Sequence, residues 1–272
     1  MAYFIENLTV KEMQEALTKT KTVIIPIGVV EQHGFHLPLV TDIIVANEVP
    51  RRAGDRLNAV VAPSVNYCFS GGELTGTINV NPNIFGLYIC DICEEFLRLG
   101  FLDIVLFLGH GGTDNTNALK SSVQTILRRN HARADKITIS VIECTELSKT
   151  AMEVTFGEGP EHDFHAGNVE TSLVKYWKPE SVRDEIVMDE DEIARSMRTD
   201  CDWFETKSKT LDLEHVIPHA KQREEIKVGV MGFPELSTAE FGKLISEEMT
   251  EGLINYVDLL AEKRAEKFGN NN

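Results

Sequence analysis

Four short, almost purely apolar runs constrain the fold of this chain most strongly. They are TVIIPIG at 22–28, AVVAPSV at 59–65, DIVLFLG at 103–109 and KITISVIEC at 136–144. Such runs are typical of strands that are covered on both faces. Between them lie stretches of helical periodicity, and we predict helices over 9–19, 42–57, 83–99 and 115–131, the first with a capping box from Thr9 to Glu12. Alternating strands and helices predict an α/β fold, with a largely parallel sheet and helices on both faces.

The pattern is less regular after residue 150. The stretch 184–192, DEIVMDEDE, has six acidic residues in nine positions, and no clear period follows until about residue 227. We interpret 184–227 as an irregular acidic excursion or an oligomer contact with exposed Trp203 and Phe204, and a mobile lid is the alternative. A long amphipathic helix is predicted over 238–268. Nothing indicates a separate domain, so we predict a single domain over residues 1–272.

The charge balance and the cysteines exclude several classes of protein. The 27 Lys and Arg residues against 43 Asp and Glu residues give a net charge of −16 at pH 7, which repels nucleic acids and anionic membrane surfaces. No apolar run reaches the roughly 18 residues that a membrane span needs, and the N-terminus lacks the features of a signal peptide. Five cysteines without an export signal indicate reduced thiols, and Cys90 and Cys93 fit a helix core better than a metal or redox site. We therefore expect a cytoplasmic protein with no nucleic-acid or membrane partner.

A dense polar cluster follows the first apolar run. It reads EQHGFHLP over 31–38 and is followed by Asp42. In an extended backbone, Glu31 and His33 point the same way, and Asp42 can reach the same point from the start of the next helix. Such a mixture of oxygen and nitrogen donors suits Zn, Mn or Fe rather than calcium. The alternative is a solvated loop without a metal.

A second cluster, GHGG, directly follows the third apolar run and places His110 at the end of another predicted strand. Ligands of open α/β sheets bind outside the carboxyl ends of the strands, so His110 is expected at the same edge as the first cluster. The glycines allow a close approach of the backbone to a ligand. The spacing does not match a phosphate-binding loop.

A third cluster, EHDFHAGNVETS over 161–172, precedes a predicted short helix. His165 just ahead of this helix and Glu170 in its first turns can face one site. Alternatively, Glu170 only stabilises the helix N-terminus, and His165 is a turn residue. A serine nucleophile is disfavoured because no G-x-S-x-G motif is present, and Cys68 has no base near it in the sequence.

Four motifs in one order carry a family resemblance. They are PIGVVEQHGFHLPLVTD, GHGG, HAGNVETS and GVMGFPELSTAEFGK, and they lie between about residues 20 and 260. In this order they resemble the creatininase (creatinine amidohydrolase) family. The resemblance implies a three-layer α/β/α sandwich, two divalent metal ions per chain, and a homo-oligomer that is often a hexamer. It also implies a hydrolase that acts on a small cyclic amide or a related C–N bond through a water that both ions activate.

The resemblance also suggests roles for individual residues. Glu31, Asp42 and His110 look like the ligands of one metal, and His33 with a shared Asp42 looks like part of the other. The characterised creatinine hydrolases have a further glutamate two residues after the GH histidine.

The residues at this position and around it depart from the family pattern. Here the position of that glutamate is Gly112, so the second metal lacks one expected ligand. Glu170 is the nearest candidate to replace it, and Asp114 and Glu73 are alternatives. His165 matches the family histidine that is thought to transfer a proton.

Other departures concern the substrate. The segment GEGPEHDFHAG contains no tryptophan, although creatinine-hydrolysing members place tryptophan there to cover the ring, and FSGGELTGTI has Glu73 where the family usually has a histidine. Creatinine is therefore not the expected substrate. Two alternatives stay open: hydrolytic ring opening, by C–C cleavage, of a cyclic keto-sugar or keto-inositol, and a non-catalytic metal-binding homologue.

Overall fold

The central sheet has five strands, all parallel to their neighbours. The computed structural model describes residues 3–269, apart from one side chain at position 133. The strands are β1 (Tyr3–Phe4), β2 (Thr22–Ile27), β3 (Val60–Val61), β4 (Asp103–Leu108) and β5 (Thr138–Glu143). Their order across the sheet is β1-β3-β2-β4-β5. Each of the four apolar runs thus contains a strand, as predicted, although the strand in the run at 59–65 is only two residues long.

Eight α-helices accompany these strands within the described residues. They are α1 (Val10–Lys19), α2 (Thr41–Ala53), α3 (Pro82–Leu99), α4 (Thr113–Arg129), α5 (Lys149–Phe156), α6 (Asn168–Trp177), α7 (Asp191–Thr199) and α8 (Ala239–Phe268). Local signals fix several ends: the predicted capping box of Thr9 and Glu12 is present, and the Thr238 side chain accepts a hydrogen bond from the backbone of Phe241 at the start of α8. Gly100, at φ +104°, ends α3.

The helices form two layers, one on each face of the sheet. Helices α1, α3 and α4 share one core with Ile25 and Leu106, whereas α2, α5, α6 and α8 share the other with Ile24 and Phe107. Adjacent strand residues point to opposite faces, so β2 and β4 supply both cores, and every residue in these two strands is buried. The predicted three-layer α/β/α architecture is confirmed.

The segment 184–227 is more regular than the sequence indicated. It contains α7 and an antiparallel hairpin of β6 (Glu205–Ser208) and β7 (His219–Gln222). Trp203 and Phe204, expected to be exposed, are partly buried against Met197, Ile226 and Met231. That expectation was wrong, because these side chains belong to a small apolar core that is separate from the two main cores.

Two predictions about the chain as a whole can be compared with the structure. Within residues 3–269, no helix is both long enough and apolar enough to cross a bilayer. All five cysteines have free thiols. Cys90 and Cys93 lie in α3 and are buried in the core, as the helical pattern predicted.

Candidate metal centre

Two glycines bring the start of α2 against the ends of β2 and β4. Ile27 pairs with Leu108, so the two strands end at the same level. A Cβ atom on Gly28 would lie 2.7 Å from the backbone nitrogen of Ile43, and one on Gly109 would lie 2.1 Å from the carbonyl oxygen of Asp42. Only glycine fits at either position, and the resulting close approach puts Asp42 beside the loops that follow both strands.

The five predicted ligand residues meet at this edge of the sheet. Nε2 of His33 lies 3.1 Å from Oδ1 of Asp42 and 3.6 Å from Oε2 of Glu170. Nδ1 of His110 lies 3.3 Å from Oε2 of Glu31 and 3.3 Å from Oδ2 of Asp42. The donors form two groups that share Asp42, namely Glu31, Asp42 and His110, and His33, Asp42 and Glu170, with all donor atoms of a group within 4.8 Å of one another.

Burial and charge oppose each other in this cluster. Burial disfavours the charged form of each histidine, but the carboxylates of Asp42 and Glu170 raise the pKa of His33 well above its ordinary value. Glu31 and Asp42 do the same for His110. Burial also disfavours the Asp42 carboxylate, yet the histidines beside it hold its pKa below the usual range. The carboxylates therefore make the cluster a buried site that stabilises positive charge.

Several buried donor atoms lack hydrogen-bond partners, and their arrangement fits a divalent cation. Oε2 of Glu31 and Oδ2 of Asp42, the two oxygens that face Nδ1 of His110, make no hydrogen bond within the described residues. Such atoms are rare in folded proteins. Two donors about 2.0–2.1 Å from one zinc ion at a tetrahedral angle lie about 3.3–3.4 Å apart, close to the separations found here. Nδ1 of His33 lies 3.1 Å from the carbonyl oxygen of Glu31, which can only accept, so the neutral ring that a metal binds keeps its proton on Nδ1 and its lone pair on Nε2.

Glu170, and not a side chain at position 112, lies beside His33 in this chain. A Cβ atom on Gly112 would lie 2.5 Å from Nε2 of His110, so no side chain fits there unless His110 moves. Glu170 instead reaches His33 from α6, and its Oε2 also accepts a hydrogen bond of 2.6 Å from the backbone nitrogen of Ala166. The alternatives Asp114 and Glu73 are exposed and belong to neither group.

His165 lies beside the second group. Its ring centroid is 4.3 Å from that of His33, and its Nε2 lies 2.8 Å from the carbonyl oxygen of Gln32. It also belongs to a third possible donor group, with Glu31 and His33. The side-chain amide nitrogen of Gln32 lies 3.1 Å from the same Nε2, so the backbone and the side chain of Gln32 together fix the ring.

The turn that carries His165 is held by Asp163, a residue that the sequence analysis did not single out. Its buried carboxylate accepts hydrogen bonds from the backbone nitrogens of Asn168, Val169 and Phe233, at 2.7–2.9 Å. The bonds hold the turn although Ala166 adopts a left-handed conformation at φ +53°. An aspartate shortly before a predicted helix is a capping signal, which could have identified Asp163.

Two further supporting residues could not be found from local sequence. The Ser70 hydroxyl donates a hydrogen bond of 2.6 Å to Oε1 of Glu31. Nε2 of His36 lies 3.1 Å from the carbonyl oxygen of Ala166 and 3.0 Å from the Thr171 hydroxyl. Both contacts join segments that are distant in the chain, so no sequence spacing indicates them.

A cavity of about 220 Å³ opens from the ligand cluster. Its lining includes Glu31, His110, His165 and Glu170, together with residues of α7 and of the hairpin. The segment 184–227 therefore contributes to the site itself. The cavity gives a small molecule or a chain terminus access to the ligand cluster.

Known proteins are related to this chain in sequence and in fold. The model of the family described as creatinine amidohydrolase matches residues 6–257. The mycofactocin precursor peptide peptidase of Mycolicibacterium smegmatis is 28% identical over 242 residues, which cover 85% of this chain and 81% of that protein. Creatinine amidohydrolase of Pseudomonas putida is 27% identical over 199 residues, covering 68% and 76%. A solved structure named Creatininase Mn has a TM-score of 0.74 at 22% identity, covering 97% of this chain and 99% of that one. The chain is a hydrolase that belongs to the creatininase family.

Proposed function

We propose that this protein is a metal-dependent hydrolase of an amide C–N bond. The observation that carries the proposal is the pair of donor groups that share Asp42 and contain buried oxygens without hydrogen-bond partners. The related proteins add support, because one is named an amidohydrolase and another a peptidase, and both names denote cleavage of a C–N bond. The residues of this chain fit two divalent ions, one in each group.

Zinc and manganese suit this donor set best. Glu31, Asp42 and His110 would hold one ion, and His33, Asp42 and Glu170 the other. Mixed carboxylate and imidazole donors favour such metals over calcium, and the structurally similar creatininase is named as a Mn form. When bound, the two ions would lower the pKa of water and polarise the substrate carbonyl.

The side chains around the cluster orient and protonate the substrate. His165 lies beside the donor groups and Gln32 holds its Nε2, so the ring is placed to take a proton from the attacking water and pass it to the leaving nitrogen. Such general-acid catalysis contributes about 10²–10⁴-fold in rate. Ser70 holds Glu31 through a hydrogen bond, and Asp163 holds the turn that carries His165. The chain thus supplies binding, orientation and a proton donor from separate segments.

A substrate panel tests this function. Purified protein loaded with Mn²⁺ or Zn²⁺ is incubated with creatinine, other cyclic amides, formamides, short peptides and keto-inositols, and the products are identified by mass spectrometry. Cleavage of a C–N bond that requires metal and is lost in Glu31→Gln supports the proposal. Ring opening of a keto-inositol through a C–C bond would replace it with the first alternative. Full metal occupancy without turnover of any compound in the panel would favour the non-catalytic homologue.

We also propose that the chain forms a homo-oligomer, with a hexamer favoured. Helix α3 exposes a row of large apolar side chains, Ile84, Leu87 and Tyr88, each more than half exposed. Adjacent apolar side chains at a surface are typical of interfaces. Light scattering at micromolar concentration should show an oligomer, and Leu87→Glu should shift it towards smaller species. A monomeric wild-type protein would contradict the proposal.

The cysteines support a cytoplasmic location, which we propose on this ground. Cys68, Cys90, Cys93 and Cys144 are buried free thiols. Free, buried thiols are typical of proteins in reducing compartments, because oxidising compartments favour disulfides. Fractionation of the source cells would test the location.

A further inference from the structure

One wall of the cavity is apolar, although the family's tryptophans are missing from the segment before HAG. The wall is built by Leu74, Phe164, Met197, Phe204, Ile226 and Met231, which line the cavity and pack together. Three of these six residues, Met197, Phe204 and Ile226, come from the segment 184–227. Phe204, in the segment 184–227, therefore supplies part of the aromatic surface next to the site. The family pattern has its tryptophans in a different segment, the one before HAG.

Phe204 is placed firmly in this wall. Its ring covers Gly71, where a Cβ atom would lie 3.2 Å from Cζ of Phe204 and where φ is +99°. The carbonyl oxygen of Phe204 accepts a hydrogen bond of 2.9 Å from the backbone nitrogen of Arg223. The Arg223 side chain also donates to the carbonyl oxygen of Trp203, at 2.7 Å, and its guanidinium lies over the Trp203 ring, 4.2 Å from the centroid. Because both residues are fixed from outside the cavity, the ring of Phe204 is in position before a ligand binds.

The hairpin is also hydrogen-bonded to the loop that contains Glu73. The Gln222 side chain accepts a hydrogen bond of 2.5 Å from the backbone nitrogen of Glu73. This bond and the packing of Phe204 on Gly71 join the hairpin to the loop that carries Ser70, the partner of Glu31. The apolar wall is thus connected to the ligand cluster through one continuous loop.

The charges that face the cavity outside the ligand cluster are mostly negative. Asp114, Glu143, Asp202 and Glu205 line it, and the Lys207 ammonium lies 2.9 Å from Oε1 of Glu205. Among the described lining residues, Lys207 is the only lysine or arginine, and it is already paired with a carboxylate. A carboxylate on the substrate would be repelled here, whereas an uncharged group would not.

We propose that Phe204 and the wall around it determine specificity for an amide that carries an uncharged aromatic group next to the scissile bond. The inference rests on the proposed function and adds the substrate class. An aromatic ring fits an apolar wall that contains two phenylalanines, where it gains both burial and ring contacts. The acidic lining excludes the same ring when it carries a carboxylate.

Calorimetric binding of hydroxamates to the zinc-loaded protein tests this proposal without using turnover. The probes are acetohydroxamate, phenylacetohydroxamate and 4-carboxyphenylacetohydroxamate, which share a metal-binding group and differ in the group beside it. We expect phenylacetohydroxamate to bind at least about tenfold more tightly than acetohydroxamate, and the carboxylated probe to lose most of this gain.

Variants locate the preference on Phe204. Phe204→Ala should reduce the phenyl-to-methyl affinity ratio to about threefold or less, and Phe204→Leu should give an intermediate ratio. Leu211→Ala is the matched control, because Leu211 lies in the same hairpin, is 62% exposed and does not line the cavity. Metal content and melting temperature show whether each variant has folded. If Phe204→Ala has not folded, the test relies on Phe204→Leu.

The outcomes separate this inference from the proposed function. Equal affinities for the two uncharged probes, or a ratio that Phe204→Ala leaves unchanged, would overturn the aromatic specificity while metal binding stood. Equal affinities for the two phenyl probes would show that the acidic lining does not exclude a ring that carries a carboxylate. A protein that takes up no metal would contradict the proposed function itself, and the specificity with it.

Discussion

Nε2 of His33 lies 3.1 Å from Oδ1 of Asp42, and neither side chain is exposed by more than 1%. The other oxygen of Asp42 faces His110, so this one carboxylate contacts both donor groups. Loss of its charge should therefore affect two ions rather than one.

The first prediction is that Asp42→Asn lowers metal content more than any other single ligand substitution. Elemental analysis of purified protein measures the metal per chain, and chelation should also lower the melting temperature, because metal binds only the folded state. Asp91→Asn, on the exposed side of α3, is the control and should change neither quantity. Unchanged metal content in Asp42→Asn would show that Asp42 is not shared between two ions.

The second prediction concerns Glu170. Glu170→Gln should lower the metal content from about two ions per chain towards one, because it removes one of the two carboxylates in the group with His33 and Asp42. The amide oxygen of glutamine can still accept the hydrogen bond from Ala166, so the start of α6 should be kept. Circular dichroism checks the fold, and elemental analysis checks the metal.

The matched comparison is Glu31→Gln, which should affect the other donor group. If Glu170→Gln kept both metals and the full rate, Glu170 would only be a carboxylate at a helix start. The missing ligand would then have to come from water or from another residue.

The third prediction is that His165→Ala keeps its metal but loses activity. His165 is proposed as a proton donor, so the rate should fall by about 10²–10⁴-fold while the metal content stays the same. The two measurements together distinguish a proton donor from a ligand. Loss of metal in His165→Ala would instead assign His165 to the third donor group, with Glu31 and His33.

The parts of the structure that sequence could predict are those with a local physical cause. Strands β2 and β4 follow from apolar runs that both faces of the sheet cover, and α1 follows from its capping box. The positions of Glu31 and His110 follow from strand ends in a parallel sheet. Each of these features depends on neighbouring residues, so the local sequence contains the signal.

Other features depend on contacts between distant segments. The bond from Ser70 to Glu31 and the placement of Phe204 on Gly71 require tertiary packing, so no pattern in one segment predicts them. The hairpin of β6 and β7 lies in polar sequence without a strong period, because its strands are mostly exposed. The local sequence therefore indicates that the candidate ligands lie at one edge of the sheet, but it does not indicate the wall of the cavity.

The last prediction concerns His36, which supports the turn behind Glu170 and is fully buried. Its Nε2–H donates to the Ala166 carbonyl, and its buried Nδ1 has no hydrogen-bond partner within the described residues. Burial disfavours the imidazolium and lowers the pKa of His36 to about 4. An unfolded histidine has a pKa of about 6.5. Because the folded pKa is the lower one, this contribution to stability is present above about pH 6.5 and is lost as the pH falls towards 4, by on the order of 3 kcal/mol.

His36→Gln should remove this pH dependence, since glutamine keeps a donor for Ala166 but does not titrate. Urea unfolding of metal-free protein between pH 7 and pH 4.5 measures it without a contribution from metal release. The free energy of unfolding of the wild type should decrease more steeply than that of His36→Gln, by up to about 1.4 kcal/mol per pH unit. His131→Gln, which removes an exposed histidine at the end of α4, should keep the wild-type slope. Parallel slopes for the wild type and His36→Gln would mean that His36 has the same pKa in the folded and the unfolded protein. The turn behind Glu170 would then tolerate the charge of His36.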